Sequence, residues 1–157
     1  MNPKVVTRNE KKIIGIETRT SNQLEVHQST AQIAKAWSRF IEDKLLEKIP
    51  NKAHGNIALG LYTNYESDQN GKYTLIIGTE VTSLDDVPEG MIGVNAPAAK
   101  YLEFHFEGPP PSLASEAWQQ IWKYFTDNQE YRRTFTTDFE VYNNTQEDSL
   151  DIYVAVN

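Results

Sequence analysis

The clearest structural signal in the sequence is NIALGLYTNYESDQNGKYTLIIGTEV, residues 56–81. Two runs within this stretch alternate apolar and polar residues, as half-buried strands do. Between them lies the polar segment ESDQNG, in which Asn-Gly is the strongest short signal for a tight turn between antiparallel strands. The stretch therefore predicts a β-hairpin with strands at 56–65 and 71–81.

Upstream of this hairpin, the sequence predicts a strand followed by a helix. KKIIGIET (11–18) is typical of a short strand, and STAQIAKAWSRFIEDKLLEKIP (29–50) spaces its apolar residues at helical intervals. Ser29 and Gln32 have the spacing of a capping box at the start of the helix, and Pro50 helps to end it. The first half of the chain thus has the order strand, helix, strand, strand.

The second half repeats this order. KYLEFHF (100–106) alternates as a strand does, and Ser112 is placed to cap a helix that extends to about Phe125. RTFTTDFEVYN (133–143) and SLDIYVAV (149–156) then predict a second hairpin around the polar loop NTQED.

Residues 82–99 separate the two halves. They contain two prolines, two glycines and an acidic pair without a sustained period, which is typical of a connector. The same order of elements on both sides of the connector indicates an internal duplication. We therefore predict a single domain over 1–157, with one β-α-β-β repeat at about 11–81 and a second at about 100–156.

A duplicated β-α-β-β unit most simply combines its strands into one antiparallel-rich sheet, an α+β architecture. Both helices then cover one face of the sheet, and a groove forms on the other. The two hairpins can be superposed because each contains two tyrosines eleven residues apart. The pairs are Tyr62 with Tyr73 and Tyr142 with Tyr153. In this register Gly60 of the first repeat corresponds to Glu140 of the second.

Glu140 is unusual for its position. Charged carboxylates are depleted in strand interiors and are almost never fully buried without a partner. Alternation in this strand would direct Phe139 and Val141 toward the helices, and Glu140 and Tyr142 toward the opposite face. The residues alone leave the interpretations open: Glu140 serves a ligand, forms an ion pair or hydrogen bond with a neighbour, or is exposed on a solvated face.

The composition argues against several classes of function. The chain has no cysteine, which excludes disulfides, thiolate nucleophiles and cysteine-ligated zinc. Its 15 Lys and Arg against 22 Asp and Glu give a net charge of −7, whereas proteins that bind nucleic acid directly present a basic surface. No long apolar run indicates a membrane span, and no apolar segment near the start indicates a secretion signal, so we expect a cytoplasmic protein.

The sequence also lacks the motifs of a metal or cofactor site. His27, His54 and His105 are far apart and show no metal-ligand spacing. Neither a nucleophile elbow nor a phosphate-cradling glycine loop is present. We therefore expect no metal and no cofactor.

Several segments resemble the GyrI-like effector-binding domains found at the ends of AraC-type and MerR-type regulators and as free-standing proteins. The likeness is strongest to the integron-cassette-associated branch. The segments are IIGIETRTSN, IAKAWSRF, LYTNYESDQNGKYTLIIGTEV, FHFEGPPPSLASEAWQQIWKYF and FEVY. In order and spacing, they cover nearly the whole chain.

The resemblance implies a pseudo-twofold domain whose central cleft binds small molecules, often cationic and aromatic. It also implies that the glutamate of the FE.Y motif, here Glu140, pairs with the positive charge of the ligand. Aromatic residues of the same elements are candidates for the walls of the cleft, although helical spacing by itself predicts core packing for Trp37. The candidates are Tyr62, Tyr65, Tyr142, Trp37, Phe104, Trp118 and Trp122.

The resulting prediction is a stand-alone effector-binding protein that captures a hydrophobic cation. Members of the family are often fused to a DNA-binding segment, whereas the two predicted repeats account for nearly all residues of this chain. We therefore expect either a protein partner that recognises the bound state or simple sequestration of the compound. Two alternatives remain: hydrolysis of a small molecule, with Glu103 and His105 as converging groups, and inhibition of a protein target through an acidic surface. Exposed strand edges would also allow a homodimer.

Overall fold

A computed structural model of the chain describes residues 2–108, 110–142 and 149–157. Within those residues the chain forms eight strands and four helices, which confirms the α+β class. The elements are β1 Lys4–Arg8, β2 Lys11–Ser21, α1 Asn22–Val26, α2 Ile33–Glu42, α3 Leu45–Lys48, β3 Ala58–Thr63, β4 Lys72–Val81, β5 Ile92–Ala96, β6 Ala99–Glu107, α4 Pro110–Asp127, β7 Arg133–Tyr142 and β8 Ser149–Val156.

The eight strands form one antiparallel sheet in the order β1-β6-β8-β7-β3-β4-β2-β5. On one side of its centre stand β7, β8 and β6, and on the other stand their counterparts β3, β4 and β2. This symmetric order confirms the duplicated unit. One further strand precedes each repeat in the chain and pairs with the other repeat. β1, before the first repeat, pairs with β6 of the second, and β5, before the second repeat, pairs with β2 of the first.

Two of the strands were not predicted. β5 lies inside the segment 82–99, so the prediction that this whole segment is a connector was wrong. β1 lies in the N-terminal stretch to which no element was assigned. Both strands are five residues long and stand at the edges of the sheet, where a strand pairs on one side only. Such short edge strands have too few residues to show a clear alternating pattern.

The first predicted helix is interrupted. Lys44 adopts a left-handed backbone conformation (φ 52°) between α2 and α3, which ends one helix and begins the next. The cap at Ser29 was also wrong. Instead, the Glu25 carboxylate accepts hydrogen bonds from the backbone N–H groups of Gln32 at 2.8 Å and Ile33 at 3.1 Å. Ile41, one of the apolar residues whose helical spacing predicts a buried stripe, is 68% exposed.

The predicted loop at 144–148 lies outside the described residues, as does the side chain of Ser112. No described helix is long and apolar enough to span a membrane.

The sheet has a separate apolar cluster on each face. The cluster beneath the helices includes Phe40, Leu75, Leu102, Phe104, Trp118, Ile121 and Ile152. The cluster on the second face includes Ile13, Leu59, Leu61, Ile76, Tyr101 and Phe139. The second face is the concave side of the sheet. On this face the amine of Lys11, in β2, lies 5.4 Å from the ring centroid of Phe139, in β7, although β4 and β3 stand between these two strands.

The faces predicted for β7 were therefore wrong. Phe139 and Val141 pack on the second face, whereas Glu140 and Tyr142 face the helices. The reason is that both faces are covered. β5 and β6 stand near opposite ends of the sheet order but are separated only by Pro97 and Ala98, a stretch of at most about 11 Å. The sheet must curl to bring these strands together, and the curl buries the second face as well.

The spacing of the tyrosines was a coincidence, but the correspondence of Gly60 with Glu140 has a structural counterpart. Tyr73 lies on the helix face, whereas Tyr153 packs on the second face. Gly60 and Glu140 stand directly opposite each other in β3 and β7, the two central strands. The glycine and the glutamate thus meet where the two repeats join.

Candidate functional site

Glu140 lies at the centre of the sheet and is 1% exposed. Its carboxylate accepts three hydrogen bonds from neutral side chains. The indole N–H of Trp118, on α4, donates to Oε2 at 2.7 Å, and the Tyr62 hydroxyl donates to the same oxygen at 3.0 Å. The Tyr142 hydroxyl donates to Oε1 at 2.9 Å. Side chains from both repeats therefore converge on one carboxylate.

Aromatic rings surround this carboxylate on both sides of the pseudo-twofold axis. Trp37 of α2 lies edge-on to Tyr142, with ring centroids 4.8 Å apart. Trp118 of the corresponding helix α4 lies edge-on to Tyr62, with centroids 5.4 Å apart. We call these two Trp–Tyr pairs the aromatic cage. Each pair combines a helix of one repeat with a central strand of the other, so the cage forms only where the repeats meet.

Gly60 leaves the space that Glu140 and Trp37 occupy. A Cβ atom at this position would lie 3.0 Å from Oε1 of Glu140, 3.4 Å from Cδ1 of Leu75 and 3.7 Å from Cζ2 of Trp37. The first distance is shorter than nearly all contacts that real Cβ atoms make. A residue without a side chain in one repeat therefore accommodates the carboxylate of the other.

The charge of Glu140 has no cationic partner among the described residues, because none of their ion pairs involves it. Burial raises the pKa of Glu140 above its usual value, and the hydrogen bonds from Trp118, Tyr142 and Tyr62 partly offset this increase. Burial also raises the pKa values of Tyr62 and Tyr142, with a further contribution from the nearby glutamate. The two hydroxyls therefore remain protonated donors at neutral pH.

A second buried carboxylate on the same strand is neutralised differently. Asp138 is fully buried and pairs with Nη2 of Arg133 at 2.8 Å. It also accepts hydrogen bonds from the Tyr65 hydroxyl at 2.5 Å and the backbone N–H of Ala155 at 2.8 Å. The described residues thus supply a counter-ion to Asp138 but none to Glu140, two residues further along β7.

The comparison with known proteins identifies the family. Residues 4–156 match the family described as integron-associated effector binding protein (Cass2). The chain belongs to this family. Membership places it among proteins that bind small-molecule effectors.

Individual proteins are similar to this chain over nearly its whole length. YobU of Bacillus subtilis (strain 168), named as a proposed transcriptional regulator, is 31% identical over 151 residues, which are 93% of this chain and 92% of YobU. The integron cassette protein VCH_CASS2 of Vibrio cholerae is 29% identical, with a TM-score of 0.83 over 99% of this chain and 95% of that chain. SAV2435, solved bound to tetraphenylphosphonium, has the same fold, with a TM-score of 0.80 at 20% identity over 100% of this chain and 94% of SAV2435.

The structure brings together five of the eight residues predicted for this Cass2-family site. Four are the aromatic cage, Trp37, Tyr62, Trp118 and Tyr142, and the fifth is Glu140. Tyr65 contacts the other carboxylate, Asp138.

The other two predicted residues lie elsewhere on or beneath α4. Phe104 packs in the core, where its ring centroid is 5.4 Å from Tyr124 and 6.2 Å from Phe125. Trp122 is 38% exposed on α4. Glu103 and His105, suggested for hydrolysis, lie on the second face of the sheet, where they pair with Arg8 at 3.2 Å and Asp151 at 2.6 Å. They do not converge on Glu140.

The sequence analysis missed Asp138 and Arg133. Asp138 was detectable, because it is two residues before Glu140 and alternation places both on one face. Arg133 is the first residue of the strand predicted at 133–143, where an arginine is expected to face solvent. Its side chain is instead only 9% exposed.

Replacing Glu140 by glutamine is expected to stabilise the unliganded protein at neutral pH. The amide keeps the shape of the carboxylate: its oxygen can accept from Trp118 and Tyr62 while its NH2 group donates to the Tyr142 oxygen. In the wild type the folded-state pKa of Glu140 is raised. The stabilising contribution of this group is therefore complete below about pH 4.3, the value in the unfolded chain, and is lost as the pH rises through the folded-state pKa.

Thermal unfolding between pH 4 and pH 8 measures this effect. The melting temperature of Glu140→Gln minus that of the wild type should increase with pH. Glu17→Gln, on an exposed residue of β2, makes the same change of charge and should alter stability by less than about 0.5 kcal/mol. A difference between Glu140→Gln and wild type that stays constant with pH would contradict the raised pKa.

Proposed function

We propose that the protein binds hydrophobic aromatic cations in the aromatic cage, with Glu140 as the counter-charge. One observation carries this proposal: Glu140 is fully buried among aromatic rings, and each hydrogen bond that it accepts from the described part of the chain comes from a neutral donor. Taking a carboxylate out of water is costly unless a positive charge accompanies it. A ligand cation supplies the charge that the described residues do not.

The expected attraction is large enough to select for charge. Two unit charges about 4 Å apart attract by about 4 kcal/mol at an effective dielectric constant of about 20. Each aromatic face that contacts the cation adds about 0.5–2 kcal/mol. Asp138 offers no such attraction, because Arg133 already neutralises it. Glu140 is therefore the carboxylate that distinguishes a cation from a neutral compound of the same shape.

Binding requires the cage to open. Glu140 is only 1% exposed, so a ligand can reach its carboxylate only after one of the surrounding side chains has moved. Trp37 and Tyr142 are half-buried, whereas Trp118 and Tyr62 are buried. Entry along the Trp37–Tyr142 side thus disturbs less packing. The fold itself is compatible with such a ligand, because SAV2435 has this fold and was solved bound to tetraphenylphosphonium.

Titration with tetraphenylphosphonium tests the proposal. We expect the cation to raise the melting temperature of the wild type, since a ligand that binds only the folded state stabilises it. Triphenylphosphine oxide, a compound without net charge that has three phenyl rings on phosphorus instead of four, should have little effect. Glu140→Gln should weaken binding of the cation by more than about tenfold, as expected from the loss of a charge-charge attraction.

Glu17→Gln is the matched control, because it removes the same charge from an exposed position. It should bind tetraphenylphosphonium as the wild type does. If Glu140→Gln binds the cation as tightly as the wild type, Glu140 is not its counter-charge and the proposed function is wrong.

A further inference from the structure

The first half of β7, immediately before Glu140, departs from regular strand geometry. The pairing of β7 with β8 shifts register between Arg133 and Asp138, as at a β-bulge. Phe135 has a left-handed backbone conformation (φ 53°), which is rare for a bulky residue. Bulges and strained residues occur preferentially beside functional sites, where they redirect a side chain. Arg133 stands at the start of this irregular segment, and Phe135 lies within it.

The side chain of Arg133 is nearly buried but incompletely hydrogen-bonded. Its side chain is 9% exposed, and its Nη2 pairs with Asp138 at 2.8 Å. Its Nε, by contrast, is buried and has no hydrogen-bond partner within 2–108, 110–142 and 149–157. Buried donors in native proteins almost always have a partner, so a buried N–H without one needs an explanation. A ligand atom that is present only in the complex would provide one.

Arg133 lies beside the aromatic cage. Its Cζ is 5.6 Å from the ring centroid of Trp118 and 4.4 Å from that of Phe135. The indole nitrogen of Trp118 is 2.7 Å from Glu140. One flat aromatic group, the Trp118 indole, therefore contacts both the buried guanidinium and the buried carboxylate.

We infer that Arg133 is a specificity-determining residue that binds a hydrogen-bond acceptor, in its strongest form a carboxylate, on the same effector. The effector would then be an amphoteric aromatic compound, with its cation against Glu140 and its acceptor against Nε of Arg133. An aromatic ligand that enters along the Trp37–Tyr142 side and comes to lie against the Trp118 indole would be close to both groups, because the indole contacts both of them. This inference rests on the proposed function, because it uses the same cage and the same carboxylate.

Two dyes that differ at one group provide the test. Rhodamine 110 carries a free carboxylate, and rhodamine 123 is its methyl ester, while both share the cationic xanthene ring. Fluorescence anisotropy titrations at pH 7 should show that the wild type binds rhodamine 110 at least fivefold more tightly than rhodamine 123. Arg133→Lys keeps a positive charge near Asp138 but removes Nε, and it should abolish this preference.

Arg132→Lys is the matched control, because it makes the same substitution at the adjacent, exposed arginine. It should retain the preference for rhodamine 110. If circular dichroism shows that Arg133→Lys does not fold, the double variant Arg133→Met, Asp138→Asn replaces it. The double variant removes both charges of the buried pair, so neither is left unpaired, and it too should bind the two dyes equally.

The outcomes separate the two proposals. A wild type without preference for rhodamine 110, or an Arg133 variant that retains the preference, overturns the inference about Arg133. Equal weakening of both dyes by Arg133→Lys also overturns it, because Arg133 would then act only through the shape of the site. Glu140→Gln should weaken both dyes by the same factor, and if it weakens neither, the proposed function itself fails.

Discussion

Replacement of Gly60 by valine is expected to abolish the binding of hydrophobic cations. The first added carbon would already lie 3.0 Å from Oε1 of Glu140 and 3.7 Å from the indole of Trp37. The two further methyl groups of valine have to occupy space that the carboxylate and the ring now fill. Overpacking of a buried site costs about 1–3 kcal/mol, so we also expect a lower free energy of unfolding.

A series of variants separates the local clash from a general effect of a larger residue in a strand. Gly60→Ala adds one carbon and should weaken tetraphenylphosphonium binding without abolishing it, because the Glu140 carboxylate can move by a few tenths of an ångström. Gly93→Val makes the same change as Gly60→Val on the exposed edge strand β5, where the nearest atoms belong to the side chains of Leu84 and Val87. It should bind the cation as the wild type does. Wild-type affinity in a folded Gly60→Val protein would show that the ligand does not approach Glu140 beside this glycine.

The order of elements was predictable because the interior strands are long enough to show a pattern. β4 and β8 were predicted at 71–81 and 149–156, and the structure has them at Lys72–Val81 and Ser149–Val156. The break between α2 and α3 was not predicted. It depends on a left-handed residue at Lys44, and lysine is not a residue type that signals such a conformation.

The sequence pattern could not predict on which face of the sheet Glu140 lies. Alternation divides the residues of β7 into two sets, but it does not state which set meets the helices. The burial of Phe139 on the second face results from the curl of the sheet. This curl depends on the pairing of β1 with β6 and of β5 with β2, each of which joins a strand to the other repeat. These contacts join distant parts of the chain, so no local pattern records them.

The sequence predicted which residue types form the candidate site, but only some of the contacts between them. The resemblance to a known family indicated Glu140 and the tyrosines, and the register of the repeats indicated Gly60. The hydrogen bond from Trp118 to Glu140 depends on how α4 lies over β7. The function of Glu140 in ligand binding stays a prediction until a cation is titrated.

Replacement of Trp118 by alanine is expected to cause a large loss of stability. Trp118 is a buried side chain of α4 that packs edge-on against Tyr62 and donates a hydrogen bond to Glu140. Truncation of a buried tryptophan to alanine typically costs about 3–5 kcal/mol, because apolar contacts are lost and a cavity remains. Removal of a donor from the buried carboxylate adds to this cost. Denaturant unfolding measures the change, and Trp122→Ala, one helical turn away on an exposed residue, is the control, with a change of about 0.5 kcal/mol or less.

The cavity left by Trp118→Ala also tests what the carboxylate requires of a ligand. Indole restores both the ring and the N–H donor, whereas benzothiophene has nearly the same shape without a donor. Because an apolar cavity of ring size can bind a matching aromatic compound, both should raise the melting temperature of the variant. Indole should raise it further, since only indole can donate to Glu140 as the Trp118 side chain does. Equal effects of the two compounds would mean that the cage selects its occupant by shape alone, and that the buried charge of Glu140 contributes nothing to recognition.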